Sequence, residues 1–112
     1  MQPMKIYKMY VKSVNTSSVN IALDVNDIAA GNATASNYNI VVHNTGSNWV
    51  YLEPGIGSAA TAVYPADGDT KLGTFIPPGA EVTWSLPNLT THISMIASAG
   101  PNVVGVSIGA GV

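Results

Sequence analysis

The run Ile76-Pro77-Pro78-Gly79-Ala80-Glu81-Val82-Thr83-Trp84-Ser85-Leu86 decides the fold class. Its first four residues make a rigid corner, because two prolines fix φ and lack an amide donor while the glycine accepts a positive φ. No helix or strand continues through such a corner. Behind it Val82, Trp84 and Leu86 alternate with Glu81, Thr83 and Ser85, the period of a half-buried strand. Pro87-Asn88 and Thr90-Thr91 lead into a second alternation from His92 to Ala97. There Ile93, Met95 and Ala97 share one face, and His92, Ser94 and Ile96 the other. The spacing predicts a hairpin-like unit, closed by Gly100-Pro101 before a last strand.

The same period recurs on both sides of this unit. Val19, Ile21, Leu23 and Val25 alternate with Asn20, Ala22 and Asp24, and Val104, Val106 and Ile108 share a face near the C-terminus, where Gly109-Ala110-Gly111 is expected to fray. Tyr38 to Asn44 and Trp49 to Glu53 bracket Thr45-Gly46-Ser47 and predict a β-hairpin. Asn26 to Asn37 reads as a connection, with room for a helical turn at Asp27 to Ala30. A loop from Ile56 leads to a short strand ending at Tyr64, before the acidic turn Pro65-Ala66-Asp67-Gly68-Asp69. The chain therefore reads as all-β, a single-domain antiparallel β-sandwich or jelly-roll-like barrel of about seven strands.

The first 14 residues stand apart by charge, since Lys5, Lys8 and Lys12 are three of only four lysines. Two readings are open for them. One is an extended N-terminal arm, residues 1–14, ahead of a β domain at 15–112, reaching toward an acidic neighbour with Lys5, Tyr7, Lys8, Tyr10 and Lys12. The other is a first strand whose solvated lysines guard a sheet edge.

Composition narrows the function. The chain has 112 residues, 46% of them hydrophobic and 9% charged, where soluble domains average about 25% charged. So neutral a surface suits a protein packed against other subunits. A net charge of −2 without arginine argues against nucleic acid. The lack of cysteine removes thiolate chemistry and the usual zinc clusters. No long apolar run and no signal-like start are present, so neither membrane insertion nor export is expected.

The search for chemistry yields little. His43 and His92 would need further ligands to hold a metal, and Asp67-Gly68-Asp69 lacks the later carboxylates of a calcium loop. Ser94 beside His92 lacks a nucleophile elbow. No enzyme activity, cofactor or metal is therefore expected. Trp49, Tyr51 and Tyr64 are read as interface anchors, or alternatively as a sugar-stacking platform.

The order of motifs adds a resemblance. Val42-His43-Asn44-Thr45-Gly46-Ser47, Trp49-Val50-Tyr51, Ile76-Pro77-Pro78-Gly79 with its Val82 strand, Thr91-His92-Ile93 and a Val-rich last strand together resemble small head proteins of tailed bacteriophages. The resemblance covers Tyr38 to Ile108 and leaves out the N-terminal segment. It implies a non-enzymatic capsid decoration, or cement, protein on the outer surface of a phage head, in the virion, binding the major capsid protein and itself as a homotrimer. The alternatives are a receptor- or carbohydrate-binding module of a phage fibre, and a tail or neck component.

Overall fold

The computed structural model describes residues 5–23, 39–55, 61–85 and 92–110, with side chains described from Lys8 in the first segment and up to Gly109 in the last. Eight strands follow one another: β1 (Lys5–Val14), β2 (Val19–Ala22), β3 (Asn39–Asn44), β4 (Val50–Gly55), β5 (Thr74–Ile76), β6 (Glu81–Ser85), β7 (His92–Ala97) and β8 (Asn102–Ala110). They form two four-stranded antiparallel sheets, sheet A in the order β1-β8-β3-β6 and sheet B in the order β2-β7-β4-β5. First strand thus pairs with last, second with seventh, third with sixth and fourth with fifth. That nesting is the topology of a jelly roll.

The alternating residues supply the core. Ile40 and Val42 of β3, Val50 and Leu52 of β4, Ile93 and Met95 of β7, and Val104, Val106 and Ile108 of β8 are fully buried between the sheets. Each such side chain contributes about 1.5–3 kcal/mol of hydrophobic free energy. Val82 and Trp84 face inward from β6, and Ile21 and Leu23 from β2 and its end, as their spacing predicts.

Several expectations are corrected. The strand count is eight rather than seven, because Thr74–Ile76 pairs with Val50 to Leu52 while no strand is assigned over 61–64. Neither predicted hairpin forms: β3 and β4 lie in different sheets, as do β6 and β7. The Thr45–Trp49 link does not fold back on β3 because the Asn44 amide captures it. Its Oδ1 accepts from Gly46 N at 3.0 Å and its Nδ2 donates to Asn48 O at 2.8 Å, turning the chain across the sandwich. Gly109 and Ala110 do not fray but pair with Ile6 and Lys5. Of the two readings for the N-terminal segment, residues 5–14 take the second: β1 is an edge strand paired with β8 from Lys5 to Val14, with a register shift between Ile6 and Lys8. Tyr38, the Asn26–Asn37 connection, the turn at Asp27–Ala30, and the Leu86 to Thr91 segment lie outside the described residues.

The Pro-Gly corner is a tight turn with a mechanism. Ala80 N donates to Pro77 O at 3.1 Å, and Gly79 occupies the third position with φ 73°, the combination of proline then glycine that a type II turn demands. Gly79 N and Asn44 N donate in turn to Asn44 O and Ala80 O, at 2.8 and 3.0 Å, so the corner is fastened to the end of β3.

All four links that carry the chain from one sheet to the other within the pairs β1–β2, β3–β4, β5–β6 and β7–β8 gather at this end. Two buried asparagines hold them together. Asn102, 1% exposed, donates to Val14 O at 3.2 Å and Ala99 O at 2.7 Å, and accepts from Asn48 N at 3.1 Å and Asn48 Nδ2 at 3.3 Å. Asn44, fully buried, also donates to Ile76 O at 3.2 Å. A methyl group at Gly46 would strike the Asn102 side chain, so that glycine is required by close approach.

Asn102→Ala strands buried amide and carbonyl partners in three of these links at once. It is expected to lower unfolding free energy by about 2–3 kcal/mol. Asn102→Asp is expected to cost at least as much, since a carboxylate cannot donate to Val14 O and Ala99 O. Urea denaturation checks this: the midpoint should fall in both variants with the slope unchanged.

Candidate functional site

Direct cross-strand partners in an antiparallel sheet share a face. The registers therefore place Met9, Val11 and Ser13 of β1, Val103, Gly105 and Ser107 of β8, Val41 and His43 of β3, and Glu81, Thr83 and Ser85 of β6 on the outer face of sheet A. Among the described residues His43 and Glu81 are its only ionisable members. Met9, Val11 and Val103 are 60%, 61% and 50% exposed, an apolar stripe open to solvent along β1 and β8. Met9 lies over Gly105, where an added methyl group would meet its Cε at 2.9 Å. The sheet centre is thus low, with apolar side chains rising along one side.

The outer face of sheet B is different, because residues 61–73 run across it. Ala62 is buried there, and its amide donates to Ser94 Oγ at 2.6 Å and Ser18 Oγ at 3.1 Å. Ser94 and Ser18 share a further hydrogen bond of 2.9 Å. The Ser94 hydroxyl is consequently enclosed and occupied. Asp69 Oδ2 accepts from Ala66 N at 2.8 Å and Asp69 N donates to Ala66 O at 3.0 Å, closing the acidic turn around Gly68 at φ 89°.

At the β5 side of this face the three sequence-predicted aromatics come together around a fourth. Phe75 makes ring contacts with Trp49 at 6.0 Å, Tyr51 at 5.7 Å and Tyr64 at 5.5 Å between centroids. Trp49 is 47% and Phe75 42% exposed, while Tyr51 is buried beneath them. The rings meet at 89°, 64° and 57°, so the cluster projects as a knob and is not a coplanar platform for a sugar ring. Tyr51 OH donates to Glu53 Oε2 at 3.1 Å and accepts from Gly73 N at 3.2 Å, tying β4 to the approach to β5.

Sequence reasoning missed Phe75, because three residues ahead of Pro77 are too short a run to show a period. Met9 and Val11 carry no sequence signal beyond strand propensity. Of the basic and aromatic residues of β1, Tyr10 packs against the core, and Lys8 and Lys12 are exposed beside it. The side chains of Lys5 and Tyr7 lie outside the described residues. His43 and His92 stand in different sheets and do not meet. An open cleft of about 280 Å³ lies between the edge strands β1 and β2, lined by Tyr10, Val11, Lys12, Asn20, Ile21 and Ala22. Among the described residues no three His, Cys, Asp or Glu side chains gather in a metal-binding group, and no helix is long and apolar enough to cross a membrane.

What the fold and these surfaces define is an all-β jelly-roll protein with one sheet face poor in charge and one aromatic knob. Comparison with known proteins adds no closer assignment: no protein family matches the chain, and no curated protein matches it.

Burial, and then the hydrogen bond and negative charge of Glu53, push the Tyr51 phenol up from 10.0 to about 12. Its proton is held more tightly in the folded than in the unfolded chain. The stabilisation is complete below pH 10 and declines as pH rises from 10 toward 12. Thermal melts across that window should show Tm falling in the native protein, and falling less steeply in Tyr51→Phe, which has no phenol to titrate.

Proposed function

We propose that the protein is a non-enzymatic structural subunit, a capsid decoration protein that sits on the outside of a tailed-phage head and clamps neighbouring shell proteins. The observation that carries this reading is the outer face of sheet A. A solvated sheet face ordinarily carries charges, whereas this one exposes Met9, Val11 and Val103 in a stripe beside glycine and serine. Interfaces are depleted of charge at their centres, because a neutral patch can be covered without stripping water from ions.

Lys8 and Lys12 take the opposite parity to this face but are exposed on the edge strand, and from that edge they would steer encounter with an acidic shell surface. Their position on a paired strand changes how the N-terminal segment should be tested. Removing it would take β1 out of sheet A, so point substitutions are the cleaner probe.

Val11→Asp and Met9→Asp place a charge on exposed positions that make no contribution to the core. Both should leave the melting temperature unchanged within a few degrees and weaken attachment to purified heads lacking this protein by about tenfold or more. Co-sedimentation with such heads, followed by electron microscopy of the particles, measures it. Undiminished binding by both variants would remove the face from the function. Saccharide binding that disappears in Trp49→Ala would instead assign a receptor-binding module.

A further inference from the structure

Every strand pairing among the described residues joins an early strand to a late one. β1 pairs with β8, β2 with β7, β3 with β6 and β8, and β4 with β5 and β7, so no described strand pairs within its own half of the chain. The core is shared in the same way, with Val42 and Leu52 of the first half buried among Met95 and Val106 of the second. The chain passes from β1–β4 to β5–β8 only once, between Gly55 and Thr74. The end of that passage is open to solvent: residues 66–72 are exposed and belong to no strand, and Leu72 is 79% exposed. Lys71 lies there, the only lysine outside β1 in a chain without arginine. The acidic turn before it closes at Asp69, and Gly73 N donates to Tyr51 OH after it. The Lys71–Leu72 peptide thus sits between two fastenings and takes part in neither.

From this placement we infer that Lys71–Leu72 is a processing site for a lysine-specific serine protease of the trypsin class, and that the cut leaves a folded body made of two chains. Such an enzyme needs a lysine that can enter its anionic pocket and a backbone free to extend on both sides of the bond. Lys8 and Lys12 fail the second requirement, because they are paired in register with Ile108 and Val104. Hydrolysis breaks the bond between the Lys71 carbonyl carbon and the Leu72 nitrogen, and water supplies the hydroxyl of the new carboxyl group and the hydrogen of the new amine. All the strand pairs survive it. What changes is the molecularity of folding. In the intact chain the link holds the two halves at an effective concentration on the order of millimolar. After the cut, folding is an association of two pieces, neither of which has a described strand pair of its own. Stability then depends on concentration. The cut converts a self-sufficient body into one that dilution takes apart, and this does not rest on attachment to a phage head.

Brief digestion of the full chain with trypsin, followed by mass spectrometry, is the test. The bond after Lys71 should be cut about tenfold or more faster than those after Lys8 and Lys12, and Lys71→Gln should abolish that cut. The two pieces should elute together in gel filtration under native conditions and separate in urea. Circular dichroism melts over a dilution series then read the switch: the melting temperature of the nicked protein should fall with dilution more steeply than that of the intact chain or of Lys71→Gln. Three results overturn the proposal: a bond after Lys71 no more labile than those after Lys8 and Lys12, pieces that part at once in native buffer, or a nicked protein whose melting temperature responds to dilution no more than that of the intact chain.

Discussion

The side-chain amide of Asn102 is the constraint on which the fold depends. A jelly roll must pass its chain repeatedly from one sheet to the other, and each passage leaves backbone groups that no ladder satisfies. Here the passages converge on one end of the sandwich, where Asn102 serves the ends of β1 and β7 and the β3–β4 link simultaneously. Only an amide offers both donors and an acceptor on one planar group. Asn44 does the same work between β3, its following link and the last residue of β5. Every buried side-chain nitrogen and oxygen among the described residues has a partner, which a low-dielectric interior requires.

This arrangement explains what was legible in the sequence. Alternation reports which face a residue takes, and it placed Ile93, Met95 and Ala97, and Val104, Val106 and Ile108, on the buried side, where they lie. The turn residues Pro77, Pro78 and Gly79 likewise carry their own geometry. Alternation does not report which sheet a strand joins, because an inward-facing Val looks the same from either layer. The hairpin expected at Thr45-Gly46-Ser47 is replaced by a crossing through contacts with residues as distant in sequence as Asn102. The signal for that crossing is an asparagine closing β3 and another opening β8, a pattern too common to read without the fold.

The candidate surfaces were legible to a similar depth. Trp49, Tyr51 and Tyr64 stand out as aromatics in a chain with few, and they do assemble on one face. Their hub, Phe75, is on the shortest strand, and its pairing with Tyr51 brings it among them. The apolar stripe is hidden for the opposite reason. Met9 and Val11 look like core residues by type, and they are exposed because parity in β1 gives the inward positions to Lys8, Tyr10, Lys12 and Val14.

That parity also decides how such a body can meet its neighbours. A ten-residue edge strand is an invitation to add another strand, and β1 counters it with lysines at inward-facing positions and a break in register near Ile6. The other edges, β2, β5 and β6, have four, three and five residues, too short to template much. With extension of the sheets disfavoured, the surfaces left for contact are the outer face of sheet A, the aromatic knob on the outer face of sheet B and the cleft between β1 and β2. A jelly roll hosts many unrelated activities, so the fold alone assigns none of them. The functional argument therefore rests on charge: four lysines and six acids in the whole chain, with the outer face of sheet A carrying, among its described residues, one carboxylate and one imidazole. Covering that face costs little desolvation, whereas keeping it in water forfeits the hydrophobic free energy of Met9, Val11 and Val103.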